Sequence, residues 1–268
     1  MILFFIIVLE AMIMIGLVEY REYSTKKAEQ ESQQAAQEAS AVQQVKDQVA
    51  SGEEMTTVAQ SQIQKRDENA SADACSEDGK RIVCLDPALG GYAKGNTSKT
   101  DSGMSESEYN LEFAKLIQQE LTAQNVLVYM TREESVNLDD EERTDLANNV
   151  YADLMVTLNR ESYNGKDSNS GISAWVHHKR PKTSDYAAQM ILDALEDAGA
   201  KVNQVDAGTA NSVSEDYPTN KECIGPSLVL GMGSVLNEDD ITDYEKNKEV
   251  YAKAVAEAIV DWMDDQGL

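Results

Sequence analysis

Short apolar runs alternate with longer, periodically apolar segments from residue 81 onward. The run Ile82-Val83-Cys84-Leu85 stops at a proline and a Gly-Gly pair, a pattern that predicts a buried strand. Similar runs predict strands over residues 126–130, 154–158, 171–177 and 227–230. Helical spacing of apolar residues predicts helices over residues 105–124, 138–150, 184–198 and 244–263. This alternation predicts a single α/β domain over residues 80–268, with a mostly parallel central sheet flanked by helices.

The first 79 residues have a different composition. Residues 1–19 are almost continuously apolar, close to the roughly 20 residues that span a bilayer. Glu10 interrupts them at a cost, and neither a basic start nor a clear cleavage site accompanies them, so we predict an uncleaved transmembrane anchor. Residues 20–79 are rich in Gln, Glu, Ala, Ser and Lys, and contain no aromatic residue after Tyr23. They predict a polar stalk or linker, partly helical or disordered.

Charge and cysteine content narrow the classes of function. The chain of 268 residues carries a formal net charge of −25. It has no block of Lys and Arg, so we exclude nucleic acid as a partner. The three cysteines fit neither a zinc knuckle nor a redox pair, and Cys84 within the first apolar run is predicted to be a small buried residue.

The segment after the first predicted strand reads Asp86-Pro87-Ala88-Leu89-Gly90-Gly91. It resembles the D-P-G-H-G-G motif of the zinc-dependent N-acetylmuramoyl-L-alanine amidases, which cut the sugar–peptide amide of peptidoglycan. Matching pieces follow in the family's order, and the likeness covers residues 81–263. These pieces are E-x-x-x-N-L at residues 106–111, T-R at residues 131–132, and R-x-x-x-A-N-x-x-x-A-D-L at residues 143–154.

The resemblance also implies where zinc and catalytic residues belong. The family uses a His, a Glu and a second His as zinc ligands and a separate Glu for catalysis. In this chain those four family positions hold Leu89, Glu106, Asn159 and Gly231. Only Glu106 keeps the family's residue type, so we expect no catalytic residue, no bound metal and no cofactor. The resemblance leaves a ligand cleft at Gly91, Glu106, Asn159 and Arg160.

His177 and His178 are the only histidines in the chain. They fall at the end of a predicted strand, where adjacent side chains point to opposite faces. We therefore expect them not to chelate one metal together. We expect instead that both are exposed or lie at the edge of the sheet.

These observations predict a catalytically inactive amidase-like protein of the bacterial cell envelope that binds peptidoglycan or an envelope partner. We expect a single-pass protein of the cell membrane with an extracytoplasmic domain. The charge bias of Arg21, Lys26 and Lys27 points the other way, and the family resemblance outweighs three residues. Two alternatives stay open. The first is an active peptidoglycan amidase with a non-standard metal site, whose ligands come from residues 165–222. The second is a purely structural spacer in the cell envelope.

Overall fold

The computed structural model describes residues 81–100, 102–160 and 170–268. The predicted anchor over residues 1–19 and the predicted stalk over residues 20–79 lie outside the described residues. Within the described part of the chain, no helix combines the length and apolar character needed to cross a bilayer.

The described residues form one six-stranded sheet with helices on both faces. The strands are β1 Ile82–Pro87, β2 Leu127–Met130, β3 Leu154–Asn159, β4 Ile172–Val176, β5 Val202–Ala207 and β6 Ser227–Met232. The helices are α1 Glu106–Ala123, α2 Asp140–Asn149, α3 Lys182–Asp197, α4 Pro218–Glu222 and α5 Glu238–Gln266. The order across the sheet is β2-β1-β3-β6-β4-β5. β4 runs antiparallel to β6, and every other neighbouring pair is parallel, which confirms the predicted α/β fold.

Two elements have no counterpart in the sequence prediction, β5 and α4. β5 forms one edge of the sheet and carries exposed polar side chains such as Asn203 and Gln204. It therefore lacks the apolar run that marks a buried strand. α5 also begins six residues before the predicted start, at Glu238, because the side chain of Asn237 caps the backbone amides of Asp239 and Asp240.

The core lies on both faces of the sheet. Alternate residues of β1 divide between them, so Val83 and Leu85 face α1, α3 and α5, whereas Ile82 and Cys84 face α2. The first face holds the larger apolar cluster, which includes the fully buried Trp262. Burial of Cys84 raises the pKa of its thiol well above the ordinary value, in agreement with its predicted role as a small buried residue.

The topology sets where the four family positions lie. β1, β3 and β6 are parallel neighbours, so their carboxyl ends meet at one edge of the sheet. Pro87 pairs with Leu158, and Asn159 pairs with Gly231. This carboxyl edge is where ligand sites of open parallel sheets form.

Candidate functional site

Two buried arginines hold the loop that follows β1. Arg132 donates from Nε to the carbonyl of Pro87 at 2.7 Å and from Nη2 to the carbonyls of Ala88 and Ser107 at 3.1 and 2.9 Å. Arg143 donates from Nη1 to Oδ1 of Asp86 at 2.6 Å. Burial, together with the neighbouring charge of Arg143, lowers the pKa of Arg132 to about 10. Arg132 therefore keeps its charge at neutral pH, and the loop is fixed by ionic hydrogen bonds.

Leu89 stands in this loop at the first family position. Its φ of +67° is in the left-handed region, which costs a residue with a Cβ about 1–2 kcal/mol. Nη2 of Arg143 donates to the Leu89 carbonyl at 3.0 Å and so helps to hold this conformation. The loop geometry is therefore maintained around a side chain that has no lone pair for a metal.

Glu106, the second family position, is the first residue of α1. Ser105 caps the helix with a capping box that includes Glu108, and the Glu106 side chain is buried. Its Oε1 accepts a hydrogen bond from Nδ2 of Asn96 at 3.1 Å. Gly95 passes so close that a Cβ there would stand 2.1 Å from Oε2 of Glu106. The loop before α1 thus packs tightly around this carboxylate.

Asn159 and Gly231 complete the four family positions as directly paired residues of β3 and β6. Asn159 offers a neutral amide, and Gly231 offers no side chain. A catalytic zinc is usually held by three side chains drawn from His, Cys, Asp and Glu. Of the four positions that the resemblance assigns to zinc binding and catalysis, only Glu106 supplies such a group, and this donor set does not fit a zinc ion held by three side chains.

A cavity of about 250 Å³ lies at this edge. We call it the edge cavity; its lining includes Asp86, Leu89, Asn137, Thr157, Asn159 and Tyr217. None of the described residues donates a hydrogen bond to Oδ2 of Asp86, although that atom is buried. Thr157 donates to Oγ1 of Thr219 across the cavity wall at 3.0 Å. The lining of the edge cavity is therefore polar in part, although Asp86 and Thr157 are themselves only 1% and 6% exposed.

The four residues of the expected ligand cleft differ in their relation to the edge cavity. Asn159 lines the edge cavity, whereas Gly91, Glu106 and Arg160 lie outside its lining. Gly91 packs against Asn137, which does line it.

Arg160 is buried in the interior. Its guanidinium lies 4.0 Å from the ring centroid of Tyr244 and 5.0 Å from that of Tyr109. Its Nη1 donates to the carbonyl of Met232 at 2.5 Å, and burial lowers the pKa of Arg160. Arg160 therefore packs between α1 and α5 as a cation over two aromatic rings.

The prediction that the two histidines lie on a strand is wrong, although His178 is exposed as expected. β4 ends at Val176, so His177 and His178 lie in the following turn and not on a strand. Their rings stack with centroids 4.3 Å apart, and both contact the carboxylate of Asp216. Asp216 is 38 residues from His178 along the chain. It falls among residues 165–222, from which the alternative of a non-standard metal site draws its ligands, but no motif distinguishes it from the other acidic residues there.

Comparison with known proteins agrees with the resemblance. The family described as N-acetylmuramoyl-L-alanine amidase matches residues 83–261. The "Probable cell wall amidase LytH" of Staphylococcus epidermidis is 26% identical over 185 residues, which cover 68% of this chain and 57% of that protein. The chain thus spans little more than half the length of the curated relatives it matches.

Solved structures share the fold. An N-acetylmuramoyl-L-alanine amidase from Clostridium difficile 630 matches with a TM-score of 0.62 and 22% identity, over 69% of this chain and 97% of that one. The CwlD amidase from Clostridioides difficile, solved in complex with the GerS lipoprotein, matches with a TM-score of 0.61 and 19% identity, over 69% of this chain and 99% of that one. Because the family match covers most of the chain, this protein belongs to the N-acetylmuramoyl-L-alanine amidase family.

Proposed function

We propose that this chain is a membrane-anchored, catalytically inactive member of its family that binds peptidoglycan in the bacterial cell envelope. The observation that carries the proposal is the donor set at the carboxyl edge of β1, β3 and β6. Leu89, Asn159 and Gly231 stand where the family resemblance implies a His, a second His and a Glu.

Amide hydrolysis at such a site needs two things that these residues do not supply. It needs a Lewis acid that polarises the amide carbonyl and acidifies a water molecule. It also needs a carboxylate that takes up and returns the proton. Gly231 has no carboxylate, and the remaining one, on Glu106, accepts a hydrogen bond from Asn96.

Binding without cleavage requires only that the edge stays folded and presents polar groups. Arg132 and Arg143 keep the β1 loop in place, and the lining of the edge cavity includes the polar residue Asn159. Its volume of about 250 Å³ is below the roughly 300–1,000 Å³ of pockets for drug-sized ligands. It therefore suits one amino-acid residue or one acetamido group of a peptidoglycan strand.

The alternative is an active amidase with a non-standard metal site. Among the described residues, the group whose ligand atoms lie close enough for such a site is the histidine cluster, His177, His178 and Asp216. β4 runs antiparallel to β6, and Ser173 pairs with Gly231. His177 lies four residues beyond Ser173, about 13 Å farther along the strand direction at about 3.3 Å per residue. This separation argues against the histidine cluster as a replacement for the family's zinc site.

An experiment on the purified full-length chain tests the proposal. The chain is assayed for release of peptide from cell-wall sacculi and for co-sedimentation with them. We expect co-sedimentation without release. The variant Leu89→His/Asn159→His/Gly231→Glu restores the family residues, and a gain of zinc by that variant would support the assignment of the four family positions. Peptide release by the wild-type chain would contradict the proposal.

Membrane topology and partners belong to the same proposal. We propose that residues 1–19 anchor the chain and that residues 80–268 lie outside the cytoplasm. A reporter active only outside the cytoplasm, fused after Leu268, tests this, and a cytoplasmic result would rule out contact with peptidoglycan. A protein partner is the second candidate ligand, because the structurally similar CwlD was solved with the GerS lipoprotein.

A further inference from the structure

We infer that the histidine cluster, His177, His178 and Asp216, is a binding site for one zinc ion, separate from the edge where the family places its zinc. The cluster unites both histidines of the chain with one carboxylate. Its three ligand atoms all lie within 4.8 Å of one another. The inference does not depend on the proposed function, because the four family positions contribute nothing to it.

The spacing of the ligand atoms suits a small metal ion. Nε2 of His177 lies 3.3 Å from Oδ2 of Asp216. Ligands about 2.0–2.1 Å from a tetrahedral zinc stand about 3.3 Å apart, so this pair already has the required separation. Nδ1 of His178 contacts the same Oδ2 as a hydrogen-bond partner and must move outward to admit the ion. His178 is the most exposed of the three side chains, at 37%, and it has room for that movement.

The surroundings hold the carboxylate in place before a metal arrives. The side chain of Asp216 is only 4% exposed, and its Oδ1 accepts a hydrogen bond from the backbone amide of His178 at 2.5 Å. Tyr217, the next residue, packs edge-on against Trp175 at a centroid distance of 5.8 Å. The ligand from the 208–217 loop is therefore fixed against β4 by contacts that do not involve the coordinating atom, as in established metal sites.

The protonation states also allow coordination. Burial lowers the pKa of His177, which favours its neutral form. Burial alone would raise the pKa of Asp216, but the hydrogen bonds from the side chain and the backbone amide of His178 lower it, so the carboxylate is ionised. Metal ligation requires neutral imidazole and ionised carboxylate.

Coordination through Nε2 of His177 requires a change of tautomer. In the metal-free arrangement Nδ1 of His177 accepts from the amide of Lys179 at 3.1 Å, which places the ring proton on Nε2. On zinc binding that proton moves to Nδ1, and the hydrogen bond to Lys179 is lost. Because this hydrogen bond is exposed to solvent, water can form hydrogen bonds with Nδ1–H of His177 and with the backbone amide of Lys179 in its place. The proton of His178 likewise moves from Nδ1 to Nε2, and no net proton leaves the ring pair.

The ligand types select the metal. Imidazole nitrogen suits zinc and its neighbours in the first transition row, whereas calcium and magnesium require oxygen ligands. Two imidazoles and one carboxylate leave the fourth position of a tetrahedral zinc site to water or to a group from a bound molecule. His177 and His178 are 20% and 37% exposed, so the fourth position is open to solvent.

Equilibrium dialysis of the full-length, untagged chain against Zn²⁺, followed by elemental analysis, tests the inference. We expect about one zinc ion per chain, and at least about tenfold weaker binding in His178→Ala and in Asp216→Asn. The matched control is Glu106→Gln, which makes the same carboxylate-to-amide change at the family position and should bind as the wild type does. Co²⁺ in place of zinc should give visible absorption bands without the intense thiolate charge-transfer band, which excludes the cysteines as ligands.

Each outcome has a distinct meaning. The inference is overturned if the wild-type chain binds no zinc. It is also overturned if zinc binding survives in both His178→Ala and Asp216→Asn. Either result leaves the proposed function unaffected. Loss of zinc in Glu106→Gln instead would place the metal at the carboxyl edge of β1 and β3. That result would overturn both the inference and the proposed inactive site.

Discussion

The ion pair between Asp86 and Arg143 should be one of the most sensitive points of this domain. Arg143 contacts Oδ1 of Asp86 at 2.6 Å, and the side chains of Arg143 and Asp86 are only 6% and 1% exposed. The same guanidinium donates to the carbonyls of Pro87, Leu89 and Leu138. Arg143→Met keeps most of the side-chain volume but leaves the carboxylate of Asp86 buried, with Thr131 as its one remaining hydrogen-bond donor among the described residues.

The expected loss in the free energy of unfolding follows from the burial of the Asp86–Arg143 ion pair. Removing one partner of a buried ion pair costs about 3–5 kcal/mol, because the other charge stays buried and uncompensated. A native domain has about 5–15 kcal/mol of stability in total. At about 2–4 °C per kcal/mol for a domain of this size, the melting temperature should fall by about 6–20 °C.

Urea unfolding followed by circular dichroism at 25 °C measures this loss. The matched control is Arg180→Met, which breaks the exposed pair with Asp185, whose side chains are 45% and 37% exposed. That variant should lose no more than about 1 kcal/mol. If Arg143→Met loses no more than Arg180→Met does, the buried pair does not hold the β1 loop, and the argument from the two arginines fails.

Three further predictions concern the same domain. Gly95→Ala combines a positive φ of +70° with a clash between the added Cβ and Glu106. It should therefore lower the free energy of unfolding by more than Gly103→Ala, where φ is +58° and the added Cβ meets open space. Equal losses of stability for the two variants in urea would contradict the tight packing around Glu106. Ser105→Ala removes the capping box of α1 and should cost about 1 kcal/mol in the same assay, whereas an unchanged midpoint would mean that the cap adds nothing. Because the pKa of Cys84 is raised in the folded state, its buried neutral thiol contributes fully to the free energy of unfolding below the unfolded pKa of about 8.5. That contribution is lost as the pH rises above this value. The stability gap between wild type and Cys84→Ala should therefore narrow from pH 7.5 to pH 9.5, and a constant gap would refute this.

Much of the fold was predictable because its signals are local. The apolar run of β1 and the periodic helices α1 and α3 are visible within windows of 5–20 residues, and the structure places them within a few residues of the predicted bounds. β5 was missed for the converse reason. As an edge strand with polar side chains, it owes its conformation to backbone pairing with β4, and pairing across the sheet leaves no local pattern.

The candidate site divides in the same way. That Leu89 and Gly231 cannot bind a metal follows from side-chain chemistry alone and needs no coordinates. That Arg160 packs between Tyr109 and Tyr244, away from the edge cavity, could not be read from its position next to Asn159. Arg160 is the first residue after the end of β3, so no strand pattern fixes its direction, and only the packed helices α1 and α5 show what surrounds it.

The sequence by itself determined the family and the alternation of strands and helices, because each of these is a property of side chains and short segments. The changed donors at three of the four family positions are what the resemblance implies. The tertiary structure alone decided that β4 is antiparallel to β6. It alone decided that β4 ends at Val176, which places the two adjacent histidines in a turn. It also decided that a loop aspartate 38 residues away meets them. Contacts between distant segments depend on how the whole chain packs, and packing is a collective property that no single stretch of sequence contains.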